Sequence, residues 1–266
     1  MTAENEAPEA GTEDEKVGCE RCAENGKRKL DFDFAMAFQP IVDLRDRSIF
    51  AHEALVRGVN GEPAGSILSR VDDGNRYAFD QLCRVRAIET STGLGLAERV
   101  SINFLPNAVY EPANCIRTTM TAARRCGLPL DRIIFEITEG ERIEDRAHLS
   151  RIVEEYRRHG LQTAIDDFGD GHAGLNLLAD LQPDIIKLDM KLTRNLDGDR
   201  VRRAIVRSTL AVAEEFGITV IAEGVETPGE LAALEDLGVH LIQGFLFARP
   251  AFGRLVPVED IAWPEA

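Results

Sequence analysis

Residues 164–171 read Ala-Ile-Asp-Asp-Phe-Gly-Asp-Gly, and they place two adjacent carboxylates where a short apolar run meets a glycine-rich loop. The run 161–165 has the length of a buried strand, so both acids would stand at its carboxyl end. Side chains alternate across a strand, and two neighbours can share one site only where the strand is ending. A single acid there could be a helix cap or a turn residue. Two of them, if similar acids follow other strands, suggest a metal site.

The chain has 266 residues, of which 44% are hydrophobic. This length and composition are compatible with one large α/β barrel or with two smaller domains. No apolar run approaches the roughly 18 residues of a membrane span, and the acidic amino terminus is unlike a signal peptide. We therefore expect a cytoplasmic protein without a membrane partner. The net charge of −15 argues against binding long nucleic acid, which needs basic patches. A small phosphate-bearing ligand stays compatible with it, because bound cations reverse the local charge.

Residues 1–30 are expected to form a disordered acidic tail, because they lack aromatic residues and apolar periodicity. The tail carries a lone CxxC motif, Cys19 to Cys22, whereas a structural zinc site usually needs four ligands. Solvated or simply packed thiols are the favoured interpretation, with metal or redox chemistry as the alternative. Residues 31–266 contain no linker-like stretch and are expected to form a single barrel domain.

Apolar runs of strand length alternate with helix-period segments beyond the tail. The expected strands are Ala35–Val42, Ile49–Val56, Val100–Phe104, Ile133–Ile137, Leu161–Ile165, Ile185–Leu188, Val220–Ala222 and His240–Phe245. Helices are expected around Arg76–Thr92, Asn114–Cys126, Ala147–His159, Leu175–Leu181, Val201–Phe216 and Gly229–Leu237. Such alternation predicts parallel strands joined by right-handed crossovers.

The first two strands are the exception to this pattern. Only the segment Arg45-Asp46-Arg47 separates them, whereas a parallel crossover needs a dozen residues or more. They must therefore form an antiparallel hairpin. Eight strands then predict an α/β fold, a TIM-like (β/α)8 barrel with one antiparallel strand. An open doubly wound sheet is the structural alternative.

Polar residues recur at the ends of these strands, on the face of a barrel where active sites lie. Each one alone has a simpler explanation as a cap, a turn residue or a buried ion pair. Together the acids would repel one another and be costly to desolvate. Oxygen ligands without histidine or cysteine favour Mg²⁺ or Mn²⁺, and two such ions would suit phosphodiester hydrolysis. The residues are Glu53, Asn103, Glu136, Glu139, Asp166, Asp167, Lys187, Asp189, Glu223, Glu226 and Gln243.

At these residues the sequence resembles the EAL-domain family of cyclic-di-GMP phosphodiesterases, over about residues 35 to 252. The matching motifs occur in the family's order, which makes the resemblance specific. They are Gln39-Pro40-Ile41, Glu53-Ala54-Leu55-Val56-Arg57, Ile102-Asn103, Glu136-Ile137-Thr138-Glu139, Asp166-Asp167-Phe168-Gly169, Lys187-Leu188-Asp189, Ala222-Glu223-Gly224-Val225-Glu226-Thr227, Gln243-Gly244-Phe245 and Arg249-Pro250.

The resemblance implies two divalent cations, Mg²⁺ or Mn²⁺, and the opening of cyclic di-GMP to linear 5′-pGpG by a homodimer. One metal would be bound by Glu53, Asn103, Glu136 and Asp166. Asp166 would bridge to the second metal, which Asp167 also binds, with Glu223 close to its water shell. Lys187 would orient the attacking water, so that the implied catalytic residues are Lys187, Glu223 and Glu53. Substrate contacts are implied for Gln39, Leu55, Arg57, Asp189, Gln243 and Pro250, and Glu139 would anchor the loop after the aspartate pair.

One loop departs from the family pattern. Active relatives commonly have Thr or Ala, Gly, Tyr, Ser, Ser after Asp-Phe-Gly, whereas residues 170–174 read Asp-Gly-His-Ala-Gly. Turnover rate and regulation are the properties that this loop would affect, and His172 is expected to be a loop or interface residue rather than a metal ligand. Two other functions stay open: a non-catalytic cyclic-di-GMP receptor that signals through protein partners, and a different barrel enzyme acting on sugar phosphates.

Overall fold

The computed structural model describes residues 30–138, 145–170 and 174–264. These residues form nine strands: β1 Ala35–Asp43, β2 Ser48–Arg57, β3 Arg99–Asn103, β4 Ile133–Thr138, β5 Gln162–Phe168, β6 Ile185–Leu188, β7 Thr219–Ala222, β8 Leu241–Ile242 and β9 Ala251–Phe252. The same residues form eight α-helices: α1 Ala64–Leu68, α2 Arg76–Gly93, α3 Pro112–Cys126, α4 Arg146–Arg158, α5 Gly174–Leu181, α6 Met190–Thr193, α7 Arg200–Phe216 and α8 Pro228–Glu235.

The first eight strands close into a barrel. Strands β2 to β8 are parallel neighbours in chain order, and β1 closes the ring by pairing antiparallel with both β2 and β8. The hairpin register runs from Ala35 opposite Arg57 to Asp43 opposite Ser48, with one irregularity at Ile41/Val42. Strand β9 pairs only with β1 and lies outside the ring. The TIM-like barrel with one antiparallel strand is therefore confirmed, and the closed ring excludes the open sheet.

The apolar core has two parts, because barrel strands are covered on both faces. The larger part packs the outer face of the barrel against the helices. The smaller part is a layer inside the barrel, to which seven of its eight strands contribute one residue each: Ile41, Ala51, Ile134, Ala164, Ile185, Ile221 and Leu241. The interior is thus filled rather than hollow at this level.

Element boundaries follow the expected ones to within a few residues. The principal differences are strand β8, which is shorter than expected, and three short elements that the sequence patterns did not predict, namely α1, α6 and β9. Gly127 and Gly217 end α3 and α7 in the left-handed conformation, at φ 69° and 66°. Across the described ranges, no helix combines the length and apolar character needed to cross a bilayer. Residues 1–29 of the predicted tail, which include its CxxC motif, lie outside the described residues.

Candidate active site

Each barrel strand, or the residue directly after it, contributes one polar side chain to a polar layer at the mouth of the barrel. On the parallel strands with an inner apolar residue, the polar residue comes two positions later, so it points inward one layer nearer the carboxyl end. On the reversed strand β1 it comes two positions earlier, before Ile41. The members, in chain order, are Gln39, Glu53, Asn103, Glu136, Asp166, Lys187, Glu223 and Gln243. Strand geometry alone therefore directs eight distant parts of the chain to one place.

Lys187 is the centre of this layer. Its side chain is 1% exposed, and its Nζ atom lies 2.7 Å from Glu223 Oε1 and 2.9 Å from Glu136 Oε1. The same atom lies 3.0 Å from Asp166 Oδ1 and 3.6 Å from Glu53 Oε2. One buried cation thus faces four carboxylates, so the cluster carries an excess of negative charge.

Amide and hydroxyl groups hold two of these carboxylates in place. Asn103 donates from Nδ2 to Glu53 Oε1 at 3.0 Å and to Glu136 Oε2 at 3.2 Å. Gln243 donates from Nε2 to Glu53 Oε2 at 2.7 Å, and Ser101 donates to Glu136 Oε1 at 2.6 Å. Both oxygens of Glu53 and of Glu136 therefore accept a hydrogen bond, which fixes the orientation of the two carboxylates.

The pKa values of the cluster follow from burial and crowding. Burial raises the pKa of Glu136 well above its usual range, and the neighbouring acids add to this effect. Burial likewise raises the pKa of Glu223 to about 8. Burial alone would lower the pKa of Lys187, but the surrounding carboxylates, Asp166 first, outweigh it and raise that pKa. Lys187 is therefore a stable ammonium cation in the described structure, and further positive charge would be needed to ionise every acid around it.

Three carboxylates at one side of the layer have the geometry of a cation site. Asp166, Asp167 and Glu223 each offer an oxygen within 4.8 Å of the other two. Asp166 Oδ1 is buried and accepts no well-aligned hydrogen bond, although Lys187 Nζ lies 3.0 Å away. Burial and the charge of Asp166 raise the pKa of Asp167 to about 6. A donor set of carboxylate oxygens with an unused buried lone pair fits Mg²⁺ or Mn²⁺.

The backbone is strained where this cation site is formed. Asp167 has φ 53°, a left-handed conformation that non-glycine residues adopt at a cost. Gly169 follows at φ 103°, and a Cβ there would collide with the side chain of Leu192. The turn lets both Asp166 and Asp167 face the site, which an extended strand would prevent. The loop continues to Asp170, which forms an ion pair with Lys191 at the start of α6.

Two clefts open from the polar layer. Each has a volume of about 390 Å³, and Glu53, Asp166 and Asp167 line both of them. The first cleft adds Gln39, Asp189, Met190, Glu223, Glu226, Gln243 and Phe245. The second is more apolar, and it adds Leu55, Asp80, Cys83, Asn103 and Leu105 among others. An elongated ligand could therefore extend from the polar layer into both clefts.

Most of the residues singled out from the sequence are brought together in this way, but Arg57 and Pro250 are not. The guanidinium of Arg57 donates a 2.7 Å hydrogen bond to the carbonyl oxygen of Val56. Neither Arg57 nor Pro250 is among the described residues that line the two clefts. Glu139 and His172 lie outside the described residues, so their predicted roles stay predictions. Glu226 lines the first cleft but its carboxylate pairs with Arg194, at 3.0 Å for both oxygens.

Sequence reasoning missed several residues of the site. Ser101 stands two positions before Asn103 on β3, so the strand alternation could have found it as an inward neighbour. Asp80 lines the second cleft from helix α2, and Met190 and Phe245 line the first from loops and the short helix α6. Their positions depend on how helices and loops pack onto the barrel, which a strand pattern does not specify.

Comparison with known proteins agrees with this architecture. The family model described as the EAL domain matches residues 27–250. The chain belongs to the EAL-domain family. Over 230 residues it is 34% identical to the blue light- and temperature-regulated antirepressor BluF of Escherichia coli (strain K12), covering 86% of this chain and 56% of BluF. It is also 33% identical over 228 residues to the probable cyclic di-GMP phosphodiesterase PdeI of the same strain, covering 81% of this chain and 28% of PdeI. This EAL chain thus spans about half of the first relative and less than a third of the second.

Solved EAL structures share its fold. A standalone versatile EAL protein from Vibrio cholerae O395, in its c-di-GMP-bound form, is 55% identical with a TM-score of 0.84, covering 86% of this chain and 97% of that one. Klebsiella pneumoniae BlrP1, in a complex with manganese and cyclic di-GMP, is 34% identical with a TM-score of 0.79, covering 85% of this chain and 58% of BlrP1.

Proposed function

We propose that this chain is a metal-dependent phosphodiesterase that hydrolyses cyclic di-GMP to linear 5′-pGpG. The observation that carries the proposal is the polar layer, in which four carboxylates converge on the fully buried Lys187 beside two clefts. Relatives named as cyclic di-GMP phosphodiesterases support it, as do similar structures that contain the dinucleotide.

The proposed cofactors are two divalent cations, Mg²⁺ or Mn²⁺. Glu53, Asn103, Glu136 and Asp166 would hold one of them, whereas Asp167 and Glu223 would contribute with Asp166 to the other. Asn103 presents its amide nitrogen to the carboxylates, so its side-chain amide must rotate for the oxygen to serve as a ligand. When bound, the cations would lower the pKa of a water molecule and offset the charge of the phosphate.

The protein's own groups would perform the remaining tasks. Lys187 would keep Glu136, Asp166 and Glu223 at fixed positions and donate a hydrogen bond that orients the attacking water. Its fixed charge also stabilises the negative charge that develops on the phosphate oxygens, since a buried cation is weakly screened. The cluster as a whole is thus arranged before substrate arrives.

Substrate contacts would come from both clefts. Gln39, Gln243 and Asp189 would contact the substrate in the first cleft, and Leu55 would contact it in the second. Arg57 would have to release the carbonyl oxygen of Val56 before its planar guanidinium could bind a phosphate. Pro250 would require a similar adjustment of the loop that precedes β9.

We also propose that the chain acts as a homodimer. Exposed apolar side chains on α5 and α7 support this, because Leu175 and Phe216 are 67% and 63% exposed and line a common groove with Val212. Light scattering on the purified chain tests it, with a mass near 59 kDa expected from twice 29.4 kDa.

A second candidate function is a non-catalytic receptor for cyclic di-GMP. It is favoured by the similarity to BluF, which is named as an antirepressor, and by the altered loop at residues 170–174. The deciding experiment incubates the chain with cyclic di-GMP and Mg²⁺ or Mn²⁺ and follows the products by liquid chromatography. We expect 5′-pGpG from the wild type and none from Glu53→Ala. Tight metal-independent binding without product would establish the receptor instead.

A further inference from the structure

A buried charged pair on helix α2 lies behind the polar layer, on the outer face of the barrel. We propose that Arg84, held by Asp80 and Tyr156, is a positioning residue that fixes Asn103 and Glu136 in the geometry that a metal ion requires. This inference rests on the proposed function, because it assigns these two side chains to the metal site.

The guanidinium of Arg84 is completely buried and is fixed at two points. Its Nη2 atom lies 2.7 Å from Asp80 Oδ2, one helical turn away on α2. Its Nη1 atom donates a 2.8 Å hydrogen bond to the hydroxyl oxygen of Tyr156 on helix α4. The guanidinium plane therefore has one orientation, set by two different helices.

Between those helices, the guanidinium contacts aromatic rings on the outer face of β3 and β4. Its central carbon lies 5.1 Å from the ring centre of Phe104 and 5.0 Å from that of Phe135, within the range of a cation–π contact. Phe104 directly follows Asn103, and Phe135 directly precedes Glu136. Because neighbours on a strand point to opposite faces, holding these rings from outside sets the positions of the two side chains inside.

Asp80 also restrains the backbone directly, next to Phe104 at the end of β3. Its Oδ1 atom accepts a 2.9 Å hydrogen bond from the backbone N–H of Leu105, just beyond the end of β3. Asn103 and Glu136 are register partners, and the N–H of Phe104 donates to the carbonyl oxygen of Glu136 at 3.2 Å. The pair thus controls where β3 ends relative to β4, at the level of the register partners Asn103 and Glu136.

A gain in stability does not by itself explain why Asp80 and Arg84 are buried as an ion pair. Replacing a buried ion pair by apolar side chains of similar size is often neutral or stabilising, because both charges must be desolvated. A planar, permanently charged group that touches three aromatic rings instead fixes one geometry of its neighbours. Partners of metal ligands that fix their orientation typically change metal affinity or activity by about 10- to 100-fold when they are replaced.

The test uses the whole chain with the double substitution Asp80→Asn/Arg84→Met, which removes both charges and keeps an acceptor for Leu105. Metal-stripped protein is titrated with Mn²⁺ by calorimetry, and kcat and KM for cyclic di-GMP are measured separately. We expect the Mn²⁺ dissociation constant to rise about tenfold and kcat to fall by a similar factor. The control is Ile152→Val, one turn from Tyr156 in the same apolar core, for which both quantities should stay at wild-type values.

Two milder variants keep the proposal testable if the double variant does not fold. Tyr156→Phe removes one hydrogen bond to Arg84, and Arg84→Lys keeps the charge without the planar fork. We expect both to weaken Mn²⁺ binding more than Ile152→Val does. Affinity and kcat within twofold of wild type, in the double variant or in both milder ones, would overturn the proposal. The Mn²⁺ titration is independent of turnover, so a wild type that binds Mn²⁺ but hydrolyses nothing would contradict only the proposed function.

Discussion

Nζ of Lys187 lies 2.7 Å from Oε1 of Glu223, at the end of a side chain that is 1% exposed. The same nitrogen is within 3.6 Å of three further carboxylates. A cation so deeply buried is stable only because these acids surround it, and the acids tolerate one another only because the cation is there. A bound metal ion would therefore act on the same excess of negative charge as the lysine does.

Replacing Lys187 by Met should expose this dependence. Removal of one partner from a buried charge cluster costs about 3–5 kcal/mol, so K187M should melt well below the wild type when metal is absent. Saturating Mn²⁺ should recover part of the loss, and hydrolysis should stay at background. Thermal unfolding with and without Mn²⁺ measures the effect. The control is Lys191→Met, because that lysine is exposed and water screens its ion pair, so this variant should melt close to the wild type. A metal-free K187M that melts with the wild type would contradict the charge argument.

Replacing Asp167 by Asn should affect turnover more than binding. Asn tolerates the left-handed conformation at φ 53° but has lost the charge proposed to hold the second cation. We expect the rate to fall by at least tenfold while cyclic di-GMP binding in Ca²⁺, measured by calorimetry, changes by less than threefold. Asp167→Ala provides the matched comparison, since alanine at this φ adds roughly 1–2 kcal/mol of backbone strain. Parallel losses of rate and binding in D167N would count against the assigned role.

Replacing Glu230 by Gln should lower stability in a pH-dependent way. Burial alone would raise the pKa of Glu230, but the backbone N–H groups of Glu226, Asn195 and Thr227 outweigh it, so the pKa lies below the ordinary 4.5. Because the pKa of Glu230 is lower in the folded than in the unfolded state, the ionised carboxylate adds to the free energy of unfolding above pH 4.5. This stabilisation is lost as the pH falls through the pKa of Glu230 in the folded state.

Urea denaturation measures the predicted difference. The wild type should exceed E230Q by about 1–3 kcal/mol at pH 7, and the gap should be constant down to about pH 5 and shrink below it. Exposed Glu215 serves as the control, because its replacement by Gln should change the free energy of unfolding by less than about 0.5 kcal/mol. A gap that widens on acidification would contradict the sign of the pKa shift.

Thiol labelling should separate the cysteines by environment. Burial, followed by the charge of Asp80, raises the pKa of the Cys83 thiol well above 9.0, so its thiolate is rare at pH 8. Among the cysteines of the described residues, we expect iodoacetamide to modify the half-buried Cys126 first and the buried Cys83 only on unfolding. Mass spectrometry of peptides from the native protein reads this order, and unfolded protein is the control. Cys19 and Cys22 should react fastest of all if residues 1–30 form the predicted tail.

The barrel and its polar layer could be predicted because both depend on local regularities. The short segment between β1 and β2 requires a hairpin, and the two-residue repeat of strands directs Glu136 and Lys187 inward wherever Ile134 and Ile185 point inward. The site's main acids were therefore recognisable without knowing the contacts between them.

Other features depend on tertiary contacts that strand patterns do not encode. Asp80 and Arg84 are four residues apart on a helix, where charged pairs usually face water. Their position beside the apolar residues Cys83 and Ala87 on the buried face of α2 was a signal for burial. The orientation of Arg57 is a choice among side-chain rotamers, and helix α6 is too short to have a hydrophobic period.

The reversed direction of β1 determines where the chain enters the barrel. Its first residue, Ala35, is the register partner of Arg57, the last residue of β2, so the segment leading into β1 arrives beside the carboxyl ends of the parallel strands. In an all-parallel barrel it would arrive at the opposite end. Anything joined ahead of residue 30 is therefore tethered at the rim near Glu53 and Asp166, so a pull or a push on that part of the chain acts beside the proposed metal-binding residues rather than through the length of the fold.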